Sequence, residues 1–187
     1  QSSDKISEQV GHYLEPLNTN ILTAYRMLHE GVVDPNKPDF FGFLYSLIVD
    51  NKYLVAAYWG DVQGNFYWLN REKEGVFAEE ILRDNQKVVK EITRKLDGDG
   101  GVLTTAEITG QDPSYLDPRL RPWYQKAKVS KKLTWVVYRF TEVGDQKSQL
   151  GVTSSFPVYD SHGNLLGIFG IDMLFSTIID YIKEIEL

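Results

Sequence analysis

Between residues 4 and 30 the apolar positions fall at Ile6, Val10, Tyr13, Leu14, Leu17, Ile21, Leu22, Tyr25 and Leu28. Steps of three and four follow one face of a helix, so the segment predicts a long N-terminal helix. Pro16 must kink that helix or restart it. Asn18 or Thr19 can cap a second segment, and Gly31 is placed to end it. The stripe either covers a sheet or pairs two copies of the chain.

From residue 40 the pattern changes. Residues 41–49 and 53–59 are rich in aromatic and β-branched side chains and read as strands parted by Asp50-Asn51. Asp61-Val62-Gln63-Gly64-Asn65 then turns the chain into a strand at 66–69. Helical spacing returns over 78–96, through Ile81, Leu82, Val88, Val89, Ile92 and Leu96, and the glycine-rich 97–101 stops it. A strand at 102–108 precedes a helix at 121–128. Strands follow at 133–140, 150–159 and 165–173, the last two joined by Asp160-Ser161-His162-Gly163-Asn164. Residues 176–185 close as a helix with Ile178, Ile179, Ile182 and Ile185 on one side. Hairpin-linked strands with helices between them define an α+β class, with a central antiparallel sheet of five or six strands flanked by helices. No internal repeat is evident.

A chain of 187 residues that is 42% hydrophobic and 13% aromatic can build one domain with a real core. Its net charge of −6, with lysines and arginines dispersed, argues against a nucleic-acid partner. The absence of cysteine excludes disulfides, thiolate metal sites and a cysteine nucleophile. No apolar run approaches the ~18 residues that cross a bilayer, and no signal peptide is visible. The chain begins with Gln1 rather than Met, which suggests part of a longer protein.

Catalytic chemistry is not legible. His12, His29 and His162 have no metal-ligand spacing, and there is no nucleophile elbow or phosphate-binding glycine loop. Asp97-Gly98-Asp99-Gly100-Gly101 resembles part of a calcium loop but lacks the remaining ligands. Glu79-Glu80 and the Asp97/Asp99 pair sit in polar, turn-like surroundings. No enzyme activity, metal or cofactor is expected.

Binding chemistry is better represented. Pro122 holds Arg121 extended and suits the first helical position, so Trp123 and Tyr124 fall in the first turn. A guanidinium beside open helix amides suits a carboxylate. The alternative is that Trp123, Tyr124 and Ala127 only pack the helix onto the sheet. Alternation places Thr134, Val136, Tyr138 and Phe140 on one strand face, and Leu166, Ile168, Gly170 and Asp172 on another. Asp172, among apolar neighbours, needs a partner. That partner is an internal arginine (Arg119, Arg121 or Arg139) or a ligand ammonium. With Arg121 and Trp123 receiving a carboxylate and Tyr138 and Asp172 an ammonium, the set would recognise a zwitterion.

Asp117-Pro118-Arg119-x-Arg121-Pro122-Trp123-Tyr124-x-x-Ala127 and the later Phe156-Pro157-Val158-Tyr159-Asp160-x-x-Gly163-Asn164-Leu165-Leu166-Gly167-x-x-Gly170-Ile171-Asp172 resemble the Cache family of extracytoplasmic sensor domains, and most closely the membrane-distal module of the double-Cache type. The likeness covers residues 41–173 in layout and 117–172 in motif. It implies a PAS-like sheet with a long N-terminal helix beside it and a small-molecule pocket on one sheet face. It further implies an extracytoplasmic part of a chemoreceptor, sensor histidine kinase or cyclase, attached to the membrane through segments outside this chain. In the amino-acid-binding branch, the positions matching Arg121 and Trp123 bind the ligand carboxylate, and those matching Tyr124, Tyr138 and Asp172 bind its amino group. Two departures stand out: Tyr115 lies one residue farther from the arginine than the branch places its tyrosine, and the chain stops soon after Asp172, where a double-Cache protein continues into a membrane-proximal module.

The expected organisation is a helical segment at 1–31, a ligand-binding domain at 32–175 and a C-terminal helix at 176–187. The expected partner is an amino acid, amine or carboxylate, with homodimerisation through the N-terminal helix as a further expectation. Two other readings stay open: an organic-acid ligand, with Asp172 paired to an arginine, and an interaction module with no small ligand.

Overall fold

The computed structural model describes residues 18–72, 75–84, 87–97, 99–108, 116–141 and 148–185. The stripe before Asn18, the position of Pro16 and Tyr115 lie outside them. Helix α1 (Asn18–His29) ends at Gly31, which takes the left-handed backbone (φ +69°) that glycine adopts at no steric cost. Then come α2 (Phe40–Asp50), strands β1 (Leu54–Asp61), β2 (Phe66–Glu72), β3 (Gly75–Asp84), β4 (Lys87–Leu96) and β5 (Val102–Ile108). A 3-10 turn (Pro118–Leu120) leads to α3 (Pro122–Ser130), β6 (Thr134–Thr141), β7 (Ser148–Tyr159), β8 (Leu165–Leu174) and α4 (Phe175–Ile185).

The described strands form one antiparallel sheet of eight in the order β5-β4-β3-β2-β1-β8-β7-β6, so the first and last strands pair at its centre. Two sequence expectations fail here and change the strand count from five or six. Residues 41–49 are a helix, not a strand. Their aromatic and β-branched content suits a strand, but Phe40, Leu44 and Ile48 are buried at steps of four, and that face packs on the sheet. Residues 78–96 are not a helix but lie in β3 and β4. Ala78 is buried on one sheet face and Ile81 on the other, so the apolar pattern of β3 does not alternate. Asp84 pairs with Lys87 across Asn85-Gln86, a dipeptide without the glycine that signals a tight hairpin.

The sheet divides two cores. On one face α1, α2 and α4 bury Ile21, Leu28, Phe40, Leu44, Ile48 and Ile178 against Trp59, Leu69, Phe156, Phe169 and Ile171. The N-terminal stripe, from Asn18 on, therefore covers the sheet through Ile21, Ala24 and Leu28, while Leu22 and Tyr25 stay exposed. On the other face α3 packs Trp123, Tyr124 and Ala127 against Ala56, Tyr58, Phe66 and Ile168.

Three turns share one chemistry, a recurrence within the sequence that periodicity does not reveal. Asp61, Asp97 and Asp160 each accept a hydrogen bond from the amide four residues on, at 2.8, 2.7 and 2.8 Å. In each, the fourth residue is a glycine with positive φ (Gly64 +89°, Gly100 +83°, Gly163 +82°). The Asp97 carboxylate, the first position of the partial calcium loop, is thus engaged by backbone amides.

Candidate functional site

On the α3 face a cavity of about 280 Å3 opens between α3 and strands β1, β2, β6, β7 and β8. Arg121, Trp123, Tyr138 and Asp172, four of the five residues singled out by the sequence, line it together. Tyr124 does not. Its hydroxyl donates to the Asp61 carbonyl at 3.2 Å, and its ring is part of the core behind the cavity.

Asp172 forms the floor. It is 7% exposed, and its Oδ1 accepts hydrogen bonds from the hydroxyls of Thr153 (2.5 Å) and Tyr58 (2.6 Å). None of the three arginines weighed as its partner forms an ion pair with it. Arg119 instead grips Asp117 through Nε (3.0 Å) and Nη2 (2.7 Å). Burial pushes the Asp172 carboxyl up to about 6, and the two hydroxyl bonds pull the other way. Burial, with the adjacent carboxylate, also raises the Tyr58 phenol well above its usual range.

The space left by Gly170 is filled by protein. A Cβ there would lie 2.1 Å from Cε2 of Tyr58, so the absent side chain is what lets the Tyr58 ring lie across β8 and reach Asp172. Register makes this possible, because Tyr58 faces Gly170 and Ala56 faces Asp172.

Pro122 sets the entry to α3 as its chemistry requires: Arg121 is extended at φ −85°, ψ 141°. The expectation of open amides is modified, since the Trp123 amide donates to the Tyr138 hydroxyl at 2.9 Å. Burial raises the Tyr138 phenol above its ordinary range. The Ser155 hydroxyl holds the Trp123 carbonyl at 3.1 Å, and the indole packs on Tyr58 with centroids 4.8 Å apart. Arg121 is exposed at the rim and has no side-chain hydrogen bond or ion pair among the described residues. The turn that presents it is anchored below. Asp117 caps it by accepting from the Arg119 amide, and Pro118 sits on Gly60, where a Cβ would lie 2.5 Å away. Against the cost of burial, the Arg119 bonds hold the Asp117 carboxyl below its usual value.

Sequence reasoning missed Tyr58, Thr153, Phe66 and Trp68, which also line the cavity, and weighed Arg139, another lining residue, only as a partner for Asp172. Alternation along a strand places Tyr58 on the same face of β1 as Ala56, but nothing local says that β1 lies beside β8. Among the described residues no cluster of histidine and carboxylate side chains has the form of a metal site.

No protein-family model and no curated protein sequence matches this chain. Solved structures do. A methyl-accepting chemotaxis protein X superposes with TM-score 0.52 at 13% identity, covering 96% of this chain and 62% of its own. The extracellular domain of histidine kinase mmHK1S-Z3 gives TM-score 0.52 at 14% identity, covering 95% and 59%. The ligand-binding domain of the Pseudomonas aeruginosa amino-acid chemoreceptor PctC, in complex with GABA, gives TM-score 0.48 at 16% identity, covering 95% and 63%. The chain thus spans about three-fifths of the length of these proteins. Its fold is that of chemoreceptor and histidine-kinase sensory domains, the fold that the Cache resemblance implies. No described helix is long and apolar enough to cross a membrane.

Proposed function

We propose that this chain is a non-enzymatic, extracytoplasmic sensory domain of a transmembrane receptor, and that the cavity beneath α3 receives an amino acid as its zwitterion. The observation that carries the reading is Asp172: a carboxylate at the floor of a cavity, held by two neutral hydroxyls and ion-paired with no cation among the described residues. A buried carboxylate is costly without a positive partner, and a ligand ammonium supplies one. Tyr138 lies on the same wall, and Arg121 at the rim offers a guanidinium to the ligand carboxylate. Trp123, Phe66 and Trp68 provide apolar surface for the body of the ligand. The fold supports the sensory role, and attachment to a membrane would run through segments outside this chain.

An organic-acid ligand is favoured by a different observation, the second arginine at the cavity, Arg139. The two readings separate in a thermal-shift screen of the domain against amino acids, amines and small organic acids, with Arg121→Ala and Asp172→Ala alongside. A ligand at 100 times its dissociation constant stabilises the fold by about 2.7 kcal/mol, a shift of several degrees. Amino-acid hits lost in both variants are the expected result. Hits restricted to acids and indifferent to Asp172→Ala would establish the organic-acid reading, and silence across the panel would favour an interaction module.

A further inference from the structure

The α3 cavity is larger than the two charged groups of an amino acid require, and the surface left over is apolar. Its volume of about 280 Å3 equals the share of about nine waters in the liquid, the scale of leucine or methionine and well beyond glycine. From Asp172 the floor crosses two strand spacings, about 10 Å, running from β8 over β1 to β2. Rings pave it. Tyr58 donates to Asp172 at 2.6 Å, the centroid of Phe66 lies 5.9 Å from that of Tyr58, and Trp68 follows 6.3 Å from Phe66. Register sets Trp68 opposite Tyr58, on the cavity face. The charged residues that line the cavity are Asp172, Arg121 and Arg139. A zwitterion engages the first two. Arg139 is exposed in β6 and shares its alternation with Trp135, which packs in the opposite core, so it stands outside the ring-lined floor.

Leu116 closes this wall against its own backbone preference. Its φ is +44°, in the left-handed region that leucine rarely adopts, and the capped turn at Asp117 follows directly. Glycine or asparagine would take that conformation more easily, yet the position carries a half-buried leucine packed against the cluster of Tyr58, Phe66 and Trp123. Strain of this kind persists where the surroundings hold it, and it gathers at ligand sites.

We propose that the amino acid received by this cavity carries an apolar side chain of leucine, methionine or phenylalanine size, seated on Phe66 and Trp68, and that Leu116 sets this specificity. The inference rests on the zwitterion reading and adds the class of side chain to it. A charged or amide side chain would lose its water over rings that offer no ion pair, whereas an apolar one gains by leaving water.

The test is calorimetric titration of the chain with alanine, leucine, methionine, phenylalanine, glutamine, glutamate and lysine. Leucine, methionine and phenylalanine are expected to bind about tenfold more tightly than alanine, and the polar three no better than alanine. Leu116→Asn suits the left-handed backbone and sets an amide in the wall. It should keep the fold, by circular dichroism, and cut the leucine-to-alanine affinity ratio about tenfold. If that variant fails to fold, Trp68→Ala decides by the same ratio. An unchanged ratio, or glutamate, lysine or glutamine ahead of leucine, would overturn this inference and leave the zwitterion reading in place. Binding of no amino acid at all would overturn both.

Discussion

The chemistry of the α3 cavity turns on one proton. The folded Asp172 carboxyl titrates at about 6, above the ordinary carboxylate value, so the folded chain keeps a proton that the unfolded chain has already released. Its contribution to stability is present below about pH 4 and is lost as pH rises through about 6, a loss on the order of 3 kcal/mol for a shift of this size. Asp172→Asn should therefore be more stable than wild type at pH 7.5, with the gap closing by pH 4; parallel melting curves across that range measure it. Ammonium binding runs the opposite way, because it needs the ionised carboxylate. Affinity for an amino acid is expected to fall about fivefold between pH 6 and pH 5, by calorimetry. Tyr58→Phe keeps the ring over Gly170 but removes a donor to Asp172. It should cost about 2 kcal/mol in urea unfolding and raise the Asp172 titration further. An unchanged midpoint would mean that the hydroxyl contributes nothing net.

At the scale of elements, glycines separate two kinds of constraint. Gly163 lies in a turn with positive φ, and a Cβ placed there would meet nothing within 4 Å, so only the backbone resists substitution. Gly163→Ala should cost about 1 kcal/mol. Gly170 lies in β8 under the Tyr58 ring, and a methyl group there collides with that ring at 2.1 Å. Gly170→Ala should cost about 3 kcal/mol and abolish amino-acid binding, because Tyr58 leaves Asp172. Denaturant midpoints and a binding titration check the contrast; equal costs would place the Tyr58 contact among the tolerant ones. The aspartate-glycine turns were legible in sequence as turns, since Asp61, Asp97 and Asp160 each precede a glycine by three residues. The helix α2 was not, because Phe, Tyr, Ile and Val have strand propensity, and only the sheet beneath selects the four-residue step.

At the scale of the molecule, the sheet keeps two chemistries apart. Helices α1, α2 and α4 cover one face, and α3 with its cavity covers the other. Strand β8 links them. Asp172 faces the cavity, while the strand runs directly into α4 at Phe175, whose ring joins the opposite core. A ligand held by Asp172 is thus bound to the strand that carries the C-terminal helix. Hydrogen-exchange protection over residues 165–180 should rise when an amino acid binds, more than over β4 and β5. Protection confined to α3 would instead route the response through the rim.

The sequence by itself determined the α3 motif with its extended arginine, the turns, the last three strands and the face that Asp172 shares with Gly170. These follow from neighbours a few residues apart, through proline sterics, side-chain alternation and glycine conformation. Tertiary structure alone decided what Asp172 meets. The internal arginines were excluded, and Tyr58 and Thr153 were brought to it, by the pairing of β1 with β8 and of β8 with β7. The former joins residues 114 apart in the chain, and no local pattern encodes a contact of that range.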